Sequence, residues 1–256
     1  MNQLVAGTQK VADQRGLGKR LKHKLPAGLF RSLTVAFNAV ASVVPYAIKY
    51  PIGTALRRKK LPYGVLREGD VVVQVGAPRD LLHAGRSRAL HFTRIVRRGK
   101  AIVVEPDPDN VAHFRAYVKK HRLDSRTVVF PVGAWNEQAE LVYYTNPNHP
   151  ASNVVGDVAH LSEKEIKSAG YEKLTINVDS LDNLLARANV PTPRLVSITT
   201  NGAEIQILKG MSRLLAEGLR YISVAPPRPE LIPYIEKLGF RFAARDDRGY
   251  FFERPE

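Results

Sequence analysis

The chain of 256 residues contains no cysteine. Disulfide bonds, thiolate metal sites and cysteine nucleophiles are therefore excluded, and we expect no metal site. A chain without cysteine is also typical of the reducing cytoplasm, where we expect this protein. Long apolar runs are missing as well, since the longest, LTVAFNAVASVVPYAI at residues 33–48, is shorter than the roughly 20 residues that a membrane-spanning helix needs.

Acidic residues are scarce in the first quarter of the chain. Residues 1–65 hold 12 Lys or Arg against the single Asp13, a net charge of +11, whereas residues 66–256 hold 27 against 23, a net charge of +4. We therefore divide the chain into a basic, partly apolar N-terminal segment, 1–65, and one domain, 66–256. The hydrophobic content of 44% is enough for one sizeable core.

Two interpretations of the N-terminal segment stay open. Basic residues on both sides of the apolar run favour peripheral contact of residues 18–60 with anionic lipid on the inner face of the membrane. The alternative is a helical layer packed on the sheet or on a second subunit, which burial of Phe37 and Val44 would indicate. A signal peptide is disfavoured, because the stretch before the apolar run is too long and too polar.

Residues 71–107 predict the nucleotide-binding half of a doubly wound fold. Val71 to Val75 suit a strand buried on both faces, and Gly76 lets the backbone approach a ligand at the end of that strand. Glu105 ends the next strand, where a carboxylate can accept hydrogen bonds from both hydroxyls of an adenosine ribose. The turn GAPR at residues 76–79 has no second glycine to admit a pyrophosphate, so a cofactor other than a dinucleotide is favoured. An ordinary βαβ unit with an incidental glutamate is the alternative.

Later segments add a family resemblance. The motifs that carry it are QVGAP at 74–78, EPDPDN at 105–110, INVDSLDNLL at 176–185 and SITTNGAEIQILKG at 197–210. Their order resembles the FkbM family of S-adenosylmethionine-dependent methyltransferases over about residues 66–243. The resemblance implies a Rossmann-like class I methyltransferase fold, which is a doubly wound, mostly parallel α/β sheet, here with a basic helical N-terminal segment. It also implies S-adenosylmethionine as the cofactor.

The chain departs from the family pattern at four strand ends. Family members usually carry acidic residues at the positions of Gln74, Thr199 and Asn201, and the strand that ends here at Ala225 often ends in a glutamate. Ligands bind at such strand ends in open α/β sheets. Two hypotheses follow: an active enzyme with a rebuilt site, and a catalytically inactive binding or scaffold protein built on a methyltransferase fold.

The resemblance and the strand order together assign candidate site residues. Thr199 and Asn201 are expected beside the reacting groups, where a hydroxyl and an amide can orient an acceptor hydroxyl. His83 is the candidate general base, because the ordinary histidine pKa suits proton transfer near neutral pH; a surface position is its alternative. The expected cofactor-binding residues are Gln74, Gly76, Ala77, Gly85, Glu105, Asp107, Gly133, Ala134 and Trp135.

Two further expectations concern the third strand and the loop after the fourth. Trp135 is the only tryptophan, and core packing is the alternative to adenine contact for this side chain. The polar loop after residues 139–145 is expected to meet the substrate, since loops at this end of an open sheet often carry specificity. Its candidate residues are Asn148, His149, Ser152 and Asn153.

We therefore predict a methyltransferase that acts on a hydroxyl group. The family resemblance implies a glycan, a lipid-linked saccharide or a secondary metabolite as the small-molecule acceptor. Such a displacement depends mainly on alignment of the nucleophile with the methyl carbon, so few ionisable groups are required. An RNA methyltransferase is a second alternative, suggested by net charge alone. Since that charge lies in residues 1–65 and no RNA-binding motif is present, nucleic acid is not an expected partner.

Overall fold

The computed structural model describes residues 44–147, 149–156 and 162–255. Most of the predicted N-terminal segment, including Phe37, lies outside these ranges, and so does Asn148. The described helices are α1 (Tyr46–Arg57), α2 (Arg79–His83), α3 (Arg88–Ile95), α4 (Pro108–Lys120), α5 (Glu163–Ala169), α6 (Leu181–Ala188), α7 (Glu204–Lys209), α8 (Ser212–Ala216) and α9 (Leu231–Lys237). The described strands are β1 (Val71–Val75), β2 (Lys100–Val104), β3 (Thr127–Phe130), β4 (Gly133–Trp135), β5 (Ala139–Thr145), β6 (Val154–Val155), β7 (Glu172–Ser180), β8 (Leu195–Thr199), β9 (Tyr221–Ala225), β10 (Arg241–Arg245) and β11 (Tyr250–Glu253).

Seven strands form the central sheet, in the order β10-β11-β9-β8-β1-β2-β3. The five strands from β9 to β3 in this order run parallel, whereas β11 pairs antiparallel with both β9 and β10. This arrangement confirms the predicted doubly wound, mostly parallel sheet. Strand β1 lies in the middle of the parallel part of the sheet. From β1 the chain first adds β2 and β3 on one side and later adds β8 and β9 on the other, so the strand order reverses at β1 and a crevice opens at the carboxyl ends of β1 and β8.

A second sheet of four strands, in the order β4-β7-β5-β6, faces this crevice. Its main pair is β5 with β7, which are antiparallel along the full length of β5. The sequence of residues 126–137 predicts a third strand that leads to Gly133, and the structure has two short strands there instead. The chain divides there into β3, at the edge of the central sheet, and β4, in the second sheet, because Val132 and the exposed Pro131 interrupt the pairing.

Helix α1 packs against the domain with one face. Tyr50 is fully buried, and its hydroxyl donates a hydrogen bond to the carbonyl oxygen of Leu82 at 2.7 Å. Thr54 Oγ1 lies 2.9 Å from Nδ1 of the buried His91. Val44 is half-buried, so the described part of the N-terminal segment forms a packed layer on one side only. Among the described residues, no helix is both long enough and apolar enough to cross a bilayer.

A group of charged and hydroxyl side chains is enclosed between the central sheet and α3. This buried ion cluster consists of Tyr63, Arg88, Ser197, Ser223, Asp246 and Asp247. The guanidinium of Arg88 is fully buried and donates to Ser223 Oγ and Asp246 Oδ1, both at 2.8 Å, and to Asp247. The cluster therefore ties α3, β8 and β9 to the hairpin between β10 and β11.

Candidate functional site

A narrow cleft lies where the carboxyl ends of β1, β2 and β8 meet the inner face of the second sheet. Its volume is about 60 Å³. Seven of the predicted site residues line it: Gly76, Glu105, Gly133, Ala134, Asn153, Thr199 and Asn201. The strand order thus brings together residues that are up to 125 positions apart in the chain, and these include most of the predicted centre of the site.

Gly76 follows β1 and packs against Thr199 at the end of β8. Its φ of +86° falls in the left-handed region, which favours glycine. A Cβ atom at this position would lie 2.5 Å from the carbonyl oxygen of Thr199. Glycine is therefore required here by the packing of the two strand ends and by the backbone conformation.

Two of the departures from the family pattern, Gln74 and Thr199, contact each other. Gln74 Nε2 donates to Thr199 Oγ1 at 2.8 Å and to the carbonyl oxygen of Val75 at 2.7 Å. Thr199 Oγ1 in turn donates to the same Val75 oxygen at 2.9 Å. An ionised carboxylate cannot donate to a carbonyl, so the amide and the hydroxyl together make contacts that acidic residues cannot make. Oε1 of Gln74 is buried and has no hydrogen-bond partner within the described ranges.

Glu105 is buried at the end of β2 and holds the loop that follows β1. Its Oε2 accepts a hydrogen bond from the N–H of Ala77 at 2.6 Å, and its Oε1 accepts one from the N–H of Asp107 at 3.1 Å. Burial raises the pKa of Glu105 to about 7, although these N–H groups favour the ionised form. Ala77 thus acts through its backbone N–H, which holds the carboxyl of Glu105 in position.

Asp107 begins α4 and reaches the loop that covers the cleft. Its Oδ1 caps the helix by accepting from the N–H of Asp109 at 2.8 Å, so Asp107 is the N-cap residue. Its Oδ2 accepts from Nδ2 of the buried Asn153 at 2.6 Å. Asn153 therefore binds another predicted site residue.

Residues 149–155, which we call the closing segment, lie over the cleft. Asn201 Nδ2 donates to the carbonyl oxygens of Ala151, at 3.0 Å, and Asn153, at 2.9 Å. These bonds tie the loop after β8 to the closing segment. The cleft beneath the segment is smaller than the roughly 300 Å³ that small-molecule sites usually enclose.

His83 is not brought into the cleft. Its exposed ring faces His113, with ring centroids 5.4 Å apart, and its pKa is lowered by partial desolvation and by the neighbouring His113. Gly85 is also outside the cleft, in a buried turn at φ +69° against the side chain of Lys49. This geometry favours the surface alternative for His83 and does not favour a cofactor contact for Gly85.

Six other predicted residues also lie outside the lining of the cleft: Gln74, Ala77 and Asp107, which hydrogen-bond to residues that line it, and Trp135, His149 and Ser152. Trp135 is buried in the main hydrophobic core, which favours its alternative interpretation of core packing. In the closing segment His149 is exposed, and Ser152 Oγ donates to the carbonyl oxygen of His149 at 2.7 Å. Both form a short helical turn rather than a surface of the cleft.

The sequence reasoning missed Tyr143 and the apolar wall around it. Tyr143 lies on β5 and lines the cleft, and its pKa is well above the ordinary value because of burial and the nearby carboxyls of Glu105 and Asp107. Val155, Ile176 and Val178 complete this wall. Their apolar pattern indicated only buried strands; the pairing of β5 with β7 is what turns them toward the cleft.

The sequence profile described as the Methyltransferase FkbM domain matches residues 74–242 of the chain. The chain belongs to the FkbM methyltransferase family. Among curated proteins, no sequence matches it. Membership of this family implies S-adenosylmethionine as the cofactor.

Three solved structures are similar to the chain. A methyltransferase FkbM from Methylobacillus flagellatus KT shares 15% sequence identity with a TM-score of 0.48, and the match covers 89% of this chain and 60% of that protein. A methyltransferase from Geobacter sulfurreducens shares 16% identity with a TM-score of 0.44, over 98% and 100% of the two chains. Fibrillarin from Aeropyrum pernix, solved with bound S-adenosyl-L-methionine, shares 13% identity with a TM-score of 0.42, over 80% and 74%.

Proposed function

We propose that the protein transfers a methyl group from S-adenosylmethionine to a hydroxyl of a glycan, a lipid-linked saccharide or a secondary metabolite. The observation that carries this proposal is the position of Glu105. Its carboxyl lines the same cleft as Gly76, Thr199 and Asn201, which puts a ribose-binding group and hydroxyl-orienting groups around one space.

The residues of the cleft fit this cofactor by chemistry. Glu105 accepts hydrogen bonds from the ribose hydroxyls, and a carboxylate has about four acceptor positions, more than the backbone N–H groups use. Gly133 and Ala134 present little side-chain bulk, which leaves room for an adenine ring. Gln74 donates a hydrogen bond to Thr199 Oγ1 and so orients a side chain that lines the cleft. When bound, the cofactor supplies a methyl group on a positively charged sulfur.

Alignment, rather than a strong base, has to provide most of the rate. Thr199 and Asn201 are neutral and orient the acceptor hydroxyl by hydrogen bonds. Glu105 is the only carboxylate among the described residues that line the cleft, and both of its oxygens accept backbone hydrogen bonds. Holding the nucleophile in line with the methyl carbon supplies a large part of the barrier reduction without proton transfer.

A binding or scaffold protein is the second candidate. The neutral residues Gln74, Thr199, Asn201 and Ala225, together with a cleft of only about 60 Å³, favour it. In that case the cleft has no cofactor to admit, and the bonds from Asn201 to the closing segment serve stability alone.

Isothermal titration with S-adenosylmethionine distinguishes the two candidates. We expect the intact chain to bind, and we expect Glu105→Ala to weaken binding by about 1.5–3 kcal/mol, the usual scale for a hydrogen bond to a charged group. Glu140→Ala is the matched control, because Glu140 is an exposed glutamate on β5 outside the cleft. Absence of binding by the intact chain up to millimolar concentration favours the scaffold, and equal affinity of Glu105→Ala removes the ribose assignment.

A further inference from the structure

Helix α1 carries an apolar stripe that no described residue covers. Ile48, Ile52 and Leu56 are 51%, 57% and 63% exposed, and they are the exposed large hydrophobic side chains of the described ranges. Their spacing of four residues places them along one face of the 12-residue helix. Clustering of all three on one helix face distinguishes them from the scattered apolar residues of an ordinary surface.

The opposite face of α1 fixes the stripe in its outward position. Tyr50 and Thr54 are buried on that face, and Tyr46 stacks on His121 with ring centroids 3.6 Å apart. Arg94 also donates to the hydroxyl of Tyr46 at 2.8 Å. The stripe is therefore presented by a helix anchored to the domain.

Positive charge surrounds the stripe. Arg58, Lys59 and Lys60 follow α1 directly and are exposed. Residues 44–65 contain five Lys or Arg and no Asp or Glu, and residues 1–43 contain seven against the single Asp13. An apolar helix face with basic neighbours is the pattern of a helix that lies in the plane of a membrane surface.

We propose that α1 docks on an anionic lipid surface, with Ile48, Ile52 and Leu56 in the interface and the basic residues at its carboxyl end on the lipid head groups. Charge complementarity selects this occupant. A second copy of the chain would bring its own +5 region against the same region, and residues 10–31, at +6, would also bring like charge. The inference concerns a surface outside the cleft and does not depend on methyl transfer.

Cosedimentation of the full chain with vesicles tests the proposal. We expect binding to vesicles of equal parts phosphatidylcholine and phosphatidylglycerol, and much weaker binding to phosphatidylcholine alone. The triple variant Ile48→Gln, Ile52→Gln, Leu56→Gln should bind at least tenfold more weakly, whereas Ile48→Leu, Ile52→Leu, Leu56→Ile, which keeps the stripe apolar, should bind like the unmodified chain. Circular dichroism and the thermal midpoint confirm that each variant is folded.

A second pair of variants isolates the charge. Lys59→Glu with Lys60→Glu should weaken binding to the anionic vesicles by about 30-fold, from roughly 1 kcal/mol for each basic residue near such a surface. Lys173→Glu with Lys237→Glu makes the same change in net charge at two exposed lysines elsewhere and should have a much smaller effect.

Three results would overturn the proposal. Equal binding by the glutamine variant would show that residues 1–43, or charge alone, hold the protein on the vesicle. An equal loss of vesicle binding in the two lysine double variants would show that binding depends on net charge only. A dimer in solution that the glutamine variant converts to a monomer would identify a second copy as the occupant.

Discussion

The buried ion cluster and the cleft both involve β8, yet they use polar side chains in opposite ways. Ser197, in the cluster, accepts a hydrogen bond from Arg88 at 3.2 Å, while Thr199, two residues further on, pairs with the neutral Gln74. The cluster contains full charges, and Arg88 neutralises the carboxylates of Asp246 and Asp247. The polar side chains that line the cleft are, apart from Glu105, amides and hydroxyls, and Oε1 of Gln74, a residue that bonds to one of them, has no partner within the described ranges.

This difference shows how one sheet separates stability from ligand binding. Buried charges persist only where partners surround them, and removing one partner is costly. Neutral groups at the strand ends have a much smaller desolvation cost, so they can face a cleft that opens and closes. We therefore expect changes in the cluster to act on stability and changes in the cleft to act on cofactor binding.

The largest expected effect is on the cluster. Arg88→Met removes the guanidinium that pairs with Asp246 and Asp247 and should lower the free energy of unfolding by about 3–5 kcal/mol in urea denaturation. Arg241→Met is the matched control, since it removes an exposed pair with Glu253 and should cost less than about 1 kcal/mol. An equally small cost for both variants would contradict the view that the cluster stabilises the fold through its charges.

The cluster also predicts a response to acid. Burial tends to raise the pKa of Asp247, but the charges of Arg88 and Arg248 outweigh it and lower the pKa to about 2. Because the pKa is below the ordinary value, its contribution to stability is present above about pH 4 and is lost as the pH falls toward 2. Urea denaturation across this range should show a steeper acid loss for the unmodified chain than for Asp247→Asn.

In the cleft, the pH dependence of cofactor affinity should depend on Glu105. Its pKa of about 7 means that the carboxyl is increasingly protonated below neutrality, when it accepts fewer hydrogen bonds. Affinity for S-adenosylmethionine should therefore rise from about pH 6 to about pH 8, by up to about tenfold, or 1.4 kcal/mol. The free energy of unfolding should change in the opposite direction. Because the pKa of Glu105 is raised in the folded state, its contribution to stability is lost as the pH rises from about 4.5 to 7.

Glu105→Gln supplies the control for this pH dependence, because glutamine keeps the shape but does not titrate. Titration calorimetry should show that the affinity of this variant for S-adenosylmethionine does not change between about pH 6 and about pH 8. A rise as large as that of the unmodified chain would assign the titration to another group.

The smallest expected effect concerns the closing segment. Asn201→Ala removes two hydrogen bonds, each about 0.5–1.5 kcal/mol, that hold the segment over the cleft. Cofactor affinity should therefore rise by up to about tenfold, and amide exchange in residues 149–155 should become faster. Ser152→Ala is the control, since its bond stays within the segment. Weaker binding by Asn201→Ala would show instead that this amide contacts the ligand.

Local patterns in the sequence were sufficient for the central sheet and for the core of the site. Runs of valine predicted β1 and β2, and the turn at Gly202, with φ +107°, separates β8 from α7 as expected. The position of Glu105 in the site was predictable because Glu105 directly follows a strand, and a residue there lies at the carboxyl edge of the sheet. These features depend on residues close together in the chain.

The sequence by itself determined the family, the doubly wound fold class and the residues at the carboxyl ends of β1, β2 and β8. Tertiary structure decided which of those residues share a cleft, because that depends on pairing between distant segments. Arg88 and Asp246 are 158 residues apart in the chain and form an ion pair. The pairing of β5 with β7 forms the wall that includes Tyr143. His83 packs against His113 of α4 and lies outside the cleft that Thr199 lines. Periodicity reports that a side chain is buried or exposed, but its partner is set only when the whole chain packs.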